Sequence, residues 1–358
     1  MPKIFQQYHS TAKTAHTKKY KSLELFAGAG GLALGLENAG FSTIGLIEID
    51  KSASQTLKHN RPKWNVINQD ITEISQKNLS WIFNLEPGEL DLLSGGYPCQ
   101  AFSYAGTRGG FADVRGTMFY YYAEFLRQLK PKMFLAENVK GLTTLDGGNT
   151  LKTMINVFEE MGYNVQHEIL NAWDYGVAQK RQRIVIIGIR KDLANCINFE
   201  YPNPQEYKPV LRDILKDVPQ SDGAKYSEEK AKMFALVPPG GYWRDLPDEL
   251  ARKYMKTTYF MGGGRTGIAR RLSWDEPCLT LTCSPAQKQT DRCHPDENRP
   301  FTVREYARIQ SFPDDWEFIG SLSAKYKQIG NAVPVRLAEN IGKSIINALT
   351  GGQNGLEH

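Results

Sequence analysis

Short apolar runs alternate with helix-spaced segments through the first 190 residues, and the first such unit is built around glycines. Residues 22–27, SLELFA, read as a buried strand. GAGGLALGLENAGF follows, with Gly28, Gly30 and Gly31 opening a helix. STIGLIE, 42–48, is a second strand ending on Glu48, and a helix follows from about Lys51 to His59. Asn65 to Asn68 make a third strand that runs out at Asp70, and LDLL, 90–93, makes a fourth. Residues 116–128 and 149–161 have helical spacing; 133–139, 164–171 and 184–189 read as strands. Strands alternating with helices predict an α/β fold, with a mostly parallel sheet covered on both faces.

The texture changes after residue 190. Prolines, glycines and short mixed segments dominate to about 298, which predicts a smaller, irregular domain. Helical order resumes at TVREYARIQ, where Thr302 and Glu305 form a capping-box pattern. A last helix, about 334–349, follows a loop at Gly330-Asn331-Ala332. The expected division is a basic arm at 1–21, a cofactor-binding and catalytic domain at 22–190, the irregular domain at 191–298, a returning segment at 299–352 and a tail at 353–358.

Composition narrows the function classes. No apolar run is long enough to span a membrane, and the N-terminus lacks the apolar core of a secretory signal. Five cysteines at irregular spacing predict free thiols in a reducing, cytoplasmic setting. Cys278, Cys283 and Cys293-His294 lack the close pairs of a zinc site, so no metal is expected; Cys196 reads as a buried apolar residue. The net charge of +5 is modest, but its distribution is not. Residues 1–21 carry five lysines and no acid, and 252–271 carry six basic residues and no acid. Such runs suit phosphates.

Gly28-x-Gly30-x-x-Ala33 between strand and helix, with Glu48 twenty residues after Gly28, fits a nucleotide-type cofactor. Glycine lets the ligand approach, the acid takes ribose hydroxyls, and Asp70 can accept from an adenine amino group. NAD and S-adenosylmethionine both fit this pattern. The fourth strand then ends in SGGYPCQAFS, which puts Cys99 beyond a strand's carboxyl end, where open α/β sheets bind ligands. Glu137 ends the fifth strand on the same edge. A thiolate added to carbon 6 of cytosine makes carbon 5 nucleophilic enough to take a methyl group. A carboxyl at N3 relieves the charge that builds there, and Arg181 and Arg183 can favour the thiolate.

The chain resembles the cytosine-C5 DNA methyltransferases, most closely the bacterial type II modification methylases of restriction–modification systems. The resemblance rests on ELFAGAGGLALGLENAGF, IEID, NQDIT, SGGYPCQAFS, AENV, QKRQR, RPFTVREYARIQSFPD and KQIGNAVP, in the family's order. It covers most of the chain outside about 191–298. It implies a Rossmann-like S-adenosylmethionine-dependent methyltransferase domain, whose last helix packs on the first, plus a smaller target-recognition domain. It also implies that Cys99 is the nucleophile, that Glu137 contacts N3 and the exocyclic amine, and that Arg181 and Arg183 orient the adduct and a phosphate. By the same resemblance Phe26, Gly28, Gly30, Glu48, Asp70, Ile71, Pro98 and Asn331 form the cofactor site, releasing S-adenosyl-L-homocysteine as product. The loop from Gln100 to about Gly116 would close over flipped DNA. One departure is visible: Tyr97-Pro98 stands where the family usually has Pro-Pro.

In the irregular domain Arg265, Arg270, Arg271, Thr280, Leu281 and Gln287 are the candidate DNA contacts; Thr280-Leu281 resembles the family's Thr-Leu pair. The expected partner is double-stranded DNA, with a restriction endonuclease linked genetically, and the expected state is a monomer off the membrane. Three other functions are weighed: a transfer-RNA cytosine methyltransferase, an NAD-dependent oxidoreductase, and an inactive DNA-binding relative. The oxidoreductase does not account for AENV, QKRQR and Gly-Asn-Ala in order or for the basic insert. The intact Pro-Cys-Gln, Glu-Asn-Val and Arg-x-Arg speak against an inactive relative, and the long insert favours duplex DNA over transfer RNA.

Overall fold

The computed structural model describes residues 20–98, 111, 114–261 and 264–354. Cys99, most of the expected closing loop, Gly262, Gly263 and the first nineteen residues lie outside them. Nine strands are present among the described residues: β1 Lys21–Leu25, β2 Ser42–Ile47, β3 Val66–Ile67, β4 Leu92–Gly95, β5 Met133–Val139, β6 Tyr163–Asn171, β7 Gln179–Lys180, β8 Gln182–Arg190 and β9 Cys278–Leu279. The helices are α1 Gly31–Ala39, α2 Lys51–Asn60, α3 Ile71–Ile74, α4 Leu79–Phe83, α5 Met118–Leu129, α6 Asn149–Glu160, α7 Leu211–Ile214, α8 Glu228–Phe234, α9 Asp248–Met255, α10 Val303–Ile309, α11 Leu322–Asn331 and α12 Val335–Asn354.

Seven strands form one sheet in the order β3-β2-β1-β4-β5-β8-β6. The first five run parallel, and β8 is antiparallel to both its neighbours. The sheet is therefore mostly parallel, as the alternation predicts. Its order reverses at β1 and β4, so the carboxyl ends of those two strands open a crevice.

Strand alternation sends successive side chains to opposite faces. Leu93, Phe134 and Ala136 join a core under α4, α5 and α6, while Leu92, Met133 and Leu135 join one under α1 and α12. Helices α1 and α12 pack directly together, so the chain's end closes on its beginning. Helix α12 continues to Asn354, past the expected start of the tail.

Two differences from the sequence reading have physical causes. The loop expected at 330–332 is partly helix, because α11 runs through Gly330 and Asn331 before Ala332 turns to extended backbone. The segment after residue 191 is also not packed apart from the sheet along its whole length. Ile197 and Phe199 still pack with the sheet, and Leu211 and Leu215 join the core around Trp316. A separate cluster, including Phe234, Trp243, Met255 and Ile268, first gathers between residues 226 and 293. The Thr302–Glu305 capping box forms, with Glu305 Oε2 accepting from the Thr302 N–H at 2.6 Å.

Candidate functional site

A cavity of about 480 Å³ opens at the carboxyl ends of β1, β2, β4 and β5. Of the candidates, Phe26, Gly28, Glu48, Pro98, Glu137, Arg181, Arg183 and Asn331 line it. Gly30, Asp70 and Ile71 do not. Gly30 is the N-cap of α1 at φ 85°, and an added Cβ would meet Leu57 Cδ2 at 2.6 Å, so its glycine serves helix packing. Gly28 differs: its φ is 54° and a Cβ would meet nothing within 4 Å, so it faces open space. Asp70 caps α3 by accepting from the Thr72 N–H at 2.9 Å, and Ile71 is a core residue.

The turn after β1 is held by an acid. Glu48 Oε2 accepts the Gly28 N–H at 2.7 Å, and Oε1 accepts the Asp50 N–H at 2.7 Å. Asn68 donates to the Glu48 and Ile49 carbonyls at 2.8 and 3.1 Å, fixing the bend that presents the acid. Burial raises the Glu48 pKa, and the two backbone N–H groups oppose that rise.

Among the lining residues that escaped the sequence reading, Glu24, Ile49 and Asn138 bear most on the chemistry. Glu24, the first acid of ELFAGAGG, is buried, and its Oε2 has no hydrogen-bond partner among the described residues. Burial, then the charge of Glu48, pushes its pKa well above the usual carboxyl range. A carboxyl buried within an apolar strand next to a glycine turn was the available signal. Ile49 is 66% exposed on the cavity wall, where an apolar side chain facing water suits the flat face of a ligand. Asn138 donates from Nδ2 to the Tyr97 carbonyl at 3.0 Å, pinning the turn that leads to Pro98.

The departure at Tyr97 is a packing solution. Its ring is buried edge-on against Phe119 and Tyr122, while Pro98 is exposed at the cavity. Cys99 follows directly and lies outside the described residues.

Glu137 and Arg183 form an ion pair, Oε1 to Nε at 2.8 Å, with side chains only 13% and 12% exposed. They come from adjacent strands, in β5 and β8. Arg181 is fully enclosed. Its Nη1 donates to the Leu281 carbonyl at 3.2 Å and its Nη2 to the Gly330 carbonyl at 3.0 Å, while its Nε has no partner among the described residues. Burial, then the charge of Arg183, lowers its pKa to about 9, which leaves it cationic at neutral pH.

The candidate DNA contacts divide. Arg271 is not available to DNA: it is buried, and its guanidinium donates to the carbonyls of Phe234, Val237, His294, Pro295 and Glu297 and to Asn298 Oδ1. Arg270 is paired with Glu276 at 3.0 Å. Leu281 is buried, and Thr280 Oγ1 donates to the Lys180 carbonyl at 2.8 Å. Gln287 is exposed, and Arg265 is half-exposed with its Nη2 on Met261 Sδ at 3.3 Å. A one-dimensional run of basic residues cannot separate these cases, because burial is decided by tertiary packing.

Cys278 and Cys293 are buried, Cys283 is exposed, and Cys196 is only half-buried rather than a core residue. No group of metal-ligating side chains gathers among the described residues. No helix among them is long and apolar enough to cross a membrane.

Residues 20–347 match the family described as C-5 cytosine-specific DNA methylase. The chain is 58% identical over 345 residues to the type II methyltransferase M.Sau96I of Staphylococcus aureus, covering 96% of this chain and 79% of that one. It is 52% identical over 338 residues to M.Eco47II of Escherichia coli, covering 92% and 79%. Among solved structures, a prophage-encoded E. coli protein described as a DNA modification methyltransferase superposes with TM-score 0.72 at 23% identity, over 93% of this chain and 100% of that chain. Spodoptera frugiperda DNMT2 superposes with TM-score 0.66 at 19% identity, over 92% and 100%. These last two likenesses are of fold.

Proposed function

The chain belongs to the C-5 cytosine-specific DNA methylases, and from that premise we propose that Cys99, Glu137 and Arg183 carry its chemistry beside a cofactor held by Glu24, Glu48 and Asn331. The enzyme methylates carbon 5 of cytosine in DNA, and the family and fold imply S-adenosylmethionine as donor. When bound, that donor supplies an electrophilic methyl group. The donor set suits it: Glu24 offers a buried oxygen without a partner, Gly28 leaves open space, Glu48 offers ribose acceptors, and Ile49 and Phe26 offer apolar cover. S-adenosyl-L-homocysteine is the product that leaves.

The target base must leave the duplex stack to reach such a cavity. Cys99, as thiolate, donates an electron pair to carbon 6, and the sulfur–carbon bond forms as the ring's electrons shift toward N3. Glu137 shares a proton with N3 and accepts from the exocyclic amine. The ring then returns that proton to Glu137 as carbon 5 takes the methyl group. Loss of the carbon 5 proton to a base restores the double bond and expels the thiolate. Arg183, already paired to Glu137, fixes the carboxylate and lends the site positive charge. Pro98, held through the Asn138–Tyr97 bond, lines the cavity and immediately precedes Cys99 in the chain.

The segment 226–293 is the proposed target-recognition unit, with Arg265 and Gln287 as its DNA-facing candidates and Arg271, Thr280 and Leu281 as scaffold. The proposed substrate is a short specific word of duplex DNA, methylated by a monomer in the bacterial cytoplasm within a restriction–modification pair. The type II naming of relatives at 52–58% identity supports the restriction–modification setting. The single observation that carries the assignment is the Glu137–Arg183 pair facing the same cavity as the Glu48–Gly28 turn. Labelled methyl incorporation into unmethylated plasmid, with base-resolution sequencing, tests it. The expected result is 5-methylcytosine at one recurring word; methyl appearing only in transfer RNA would overturn the substrate.

A further inference from the structure

Two glutamines outside the cavity form a buried relay between its far wall and the segment that would grip DNA. Gln179 and Gln310 are both fully buried. The Leu281 N–H donates to Gln179 Oε1 at 2.9 Å. Gln179 Nε2 donates to Gln310 Oε1 at 2.9 Å. Gln310 Nε2 donates to the Ile329 and Ala332 carbonyls at 2.8 and 3.2 Å. The orientation of each amide is forced at both ends. A backbone N–H demands the oxygen of Gln179, and two backbone carbonyls demand the nitrogen of Gln310.

The relay joins parts that must be placed together. At one end Leu281 follows β9, which pairs with β7 and is clamped again at its carbonyl by Arg181. At the other end, residues 330–332 line the cavity and include Asn331. The two ends touch directly: a Cβ on Gly330 would meet the Thr282 carbonyl oxygen at 2.4 Å, and Cys283 Sγ donates to Asn331 Oδ1 at 2.9 Å. Neither glutamine lines the cavity. A buried polar group is costly unless satisfied, so two amides kept here must hold the geometry they bridge.

We infer that Gln179 and Gln310 are positioning residues that make the cofactor wall at 330–332 and the recognition segment at 278–283 one mechanical unit, so that occupancy of the cofactor cavity sets the grip on DNA. This rests on the assignment of the cavity to the cofactor. Each substitution therefore acts on the far side of the relay. Gln179→Met touches no cavity residue, yet it weakens S-adenosylhomocysteine binding. Gln310→Met touches no recognition residue, yet it weakens binding of a duplex carrying the mapped word.

Calorimetry with S-adenosylhomocysteine and anisotropy with that duplex read both effects, each expected at about fivefold to tenfold for a lost buried hydrogen bond. Gln179→Glu supplies a rescue. Its protonated carboxyl can donate to Gln310 Oε1, whereas its ionised form repels that oxygen. Its affinity for S-adenosylhomocysteine should approach wild type at low pH and fall as pH rises, more steeply than wild type. Hydrogen exchange on the wild type needs no variant: adding S-adenosylhomocysteine alone should protect residues 278–284. Variants that weaken only the near-side ligand, or no protection at 278–284, would overturn the inference. A wild type that binds no S-adenosylhomocysteine would overturn the cavity assignment and the relay with it.

Discussion

The cavity and the recognition segment both bury charged groups, and they treat them differently. At the cavity, Glu24 Oε2 and Arg181 Nε have no partner among the described residues. In the segment, Arg271 is surrounded by carbonyls, and Asp291 is matched by Lys230 at 2.6 Å and by the Tyr254 hydroxyl at 3.3 Å. Burial raises both acids, Asp291 to about 6 and Glu24 well above the usual range, but only Asp291 has partners pulling it back down. The segment also leaves buried donors without partners among the described residues, Arg292 Nε and Trp243 Nε1 for example, but these do not line the cavity. The contrast is between two buried acids, a partnerless one facing ligand space and a paired one holding up a fold with few long elements.

The largest expected effect lies at the cavity. Glu137→Gln should lower kcat by about 10²–10⁴-fold, the usual weight of a positioned proton-sharing group. Its melting temperature should stay near wild type; a variant of normal turnover would remove Glu137 from the chemistry. Arg271→Met sharpens the contrast. Leaving several buried carbonyls unsatisfied should cost more than about 3 kcal/mol of stability. Thermal melting reads the loss. A stable variant that binds DNA weakly would return Arg271 to the DNA face.

Acidity offers a subtler break. A raised Glu24 pKa means that a cationic donor binds best after Glu24 loses its proton. Affinity for S-adenosylmethionine should then rise with pH, by up to about tenfold per unit below that pKa. The trend should flatten in Glu24→Gln, and calorimetry across pH decides; equal slopes in the two proteins would place the titration elsewhere. The smallest expected effect is at Arg265, where replacement by Ala should weaken DNA binding a few-fold. It should lower the slope of log affinity against log salt by about one. An unchanged slope would mean that Arg265 meets no phosphate.

What could be seen in sequence follows the same division. Glu48 directly follows β2 and Glu137 lies near the end of β5, so period and strand order put them at one edge without any tertiary knowledge. Glu24 was hidden because an acid inside an apolar run reads as part of a strand; only its missing partner sets it apart. The helical state of Gly330-Asn331 was hidden because that pair normally ends helices, and the close approach of the Thr282 carbonyl is a tertiary fact. The basic cluster at 252–271 was legible as charge but not as direction, and Arg271 turned inward.

Covalent catalysis by Cys99 leaves a direct chemical signature. Duplex DNA carrying 5-fluorocytosine at the methylated position cannot lose a proton from carbon 5, so the thiol adduct cannot resolve. With S-adenosylmethionine present, the wild type should form a denaturation-resistant protein–DNA adduct, and Cys99→Ala should form none while still binding the duplex. An active wild type that leaves no adduct, or an adduct that survives in Cys99→Ala, would contradict it.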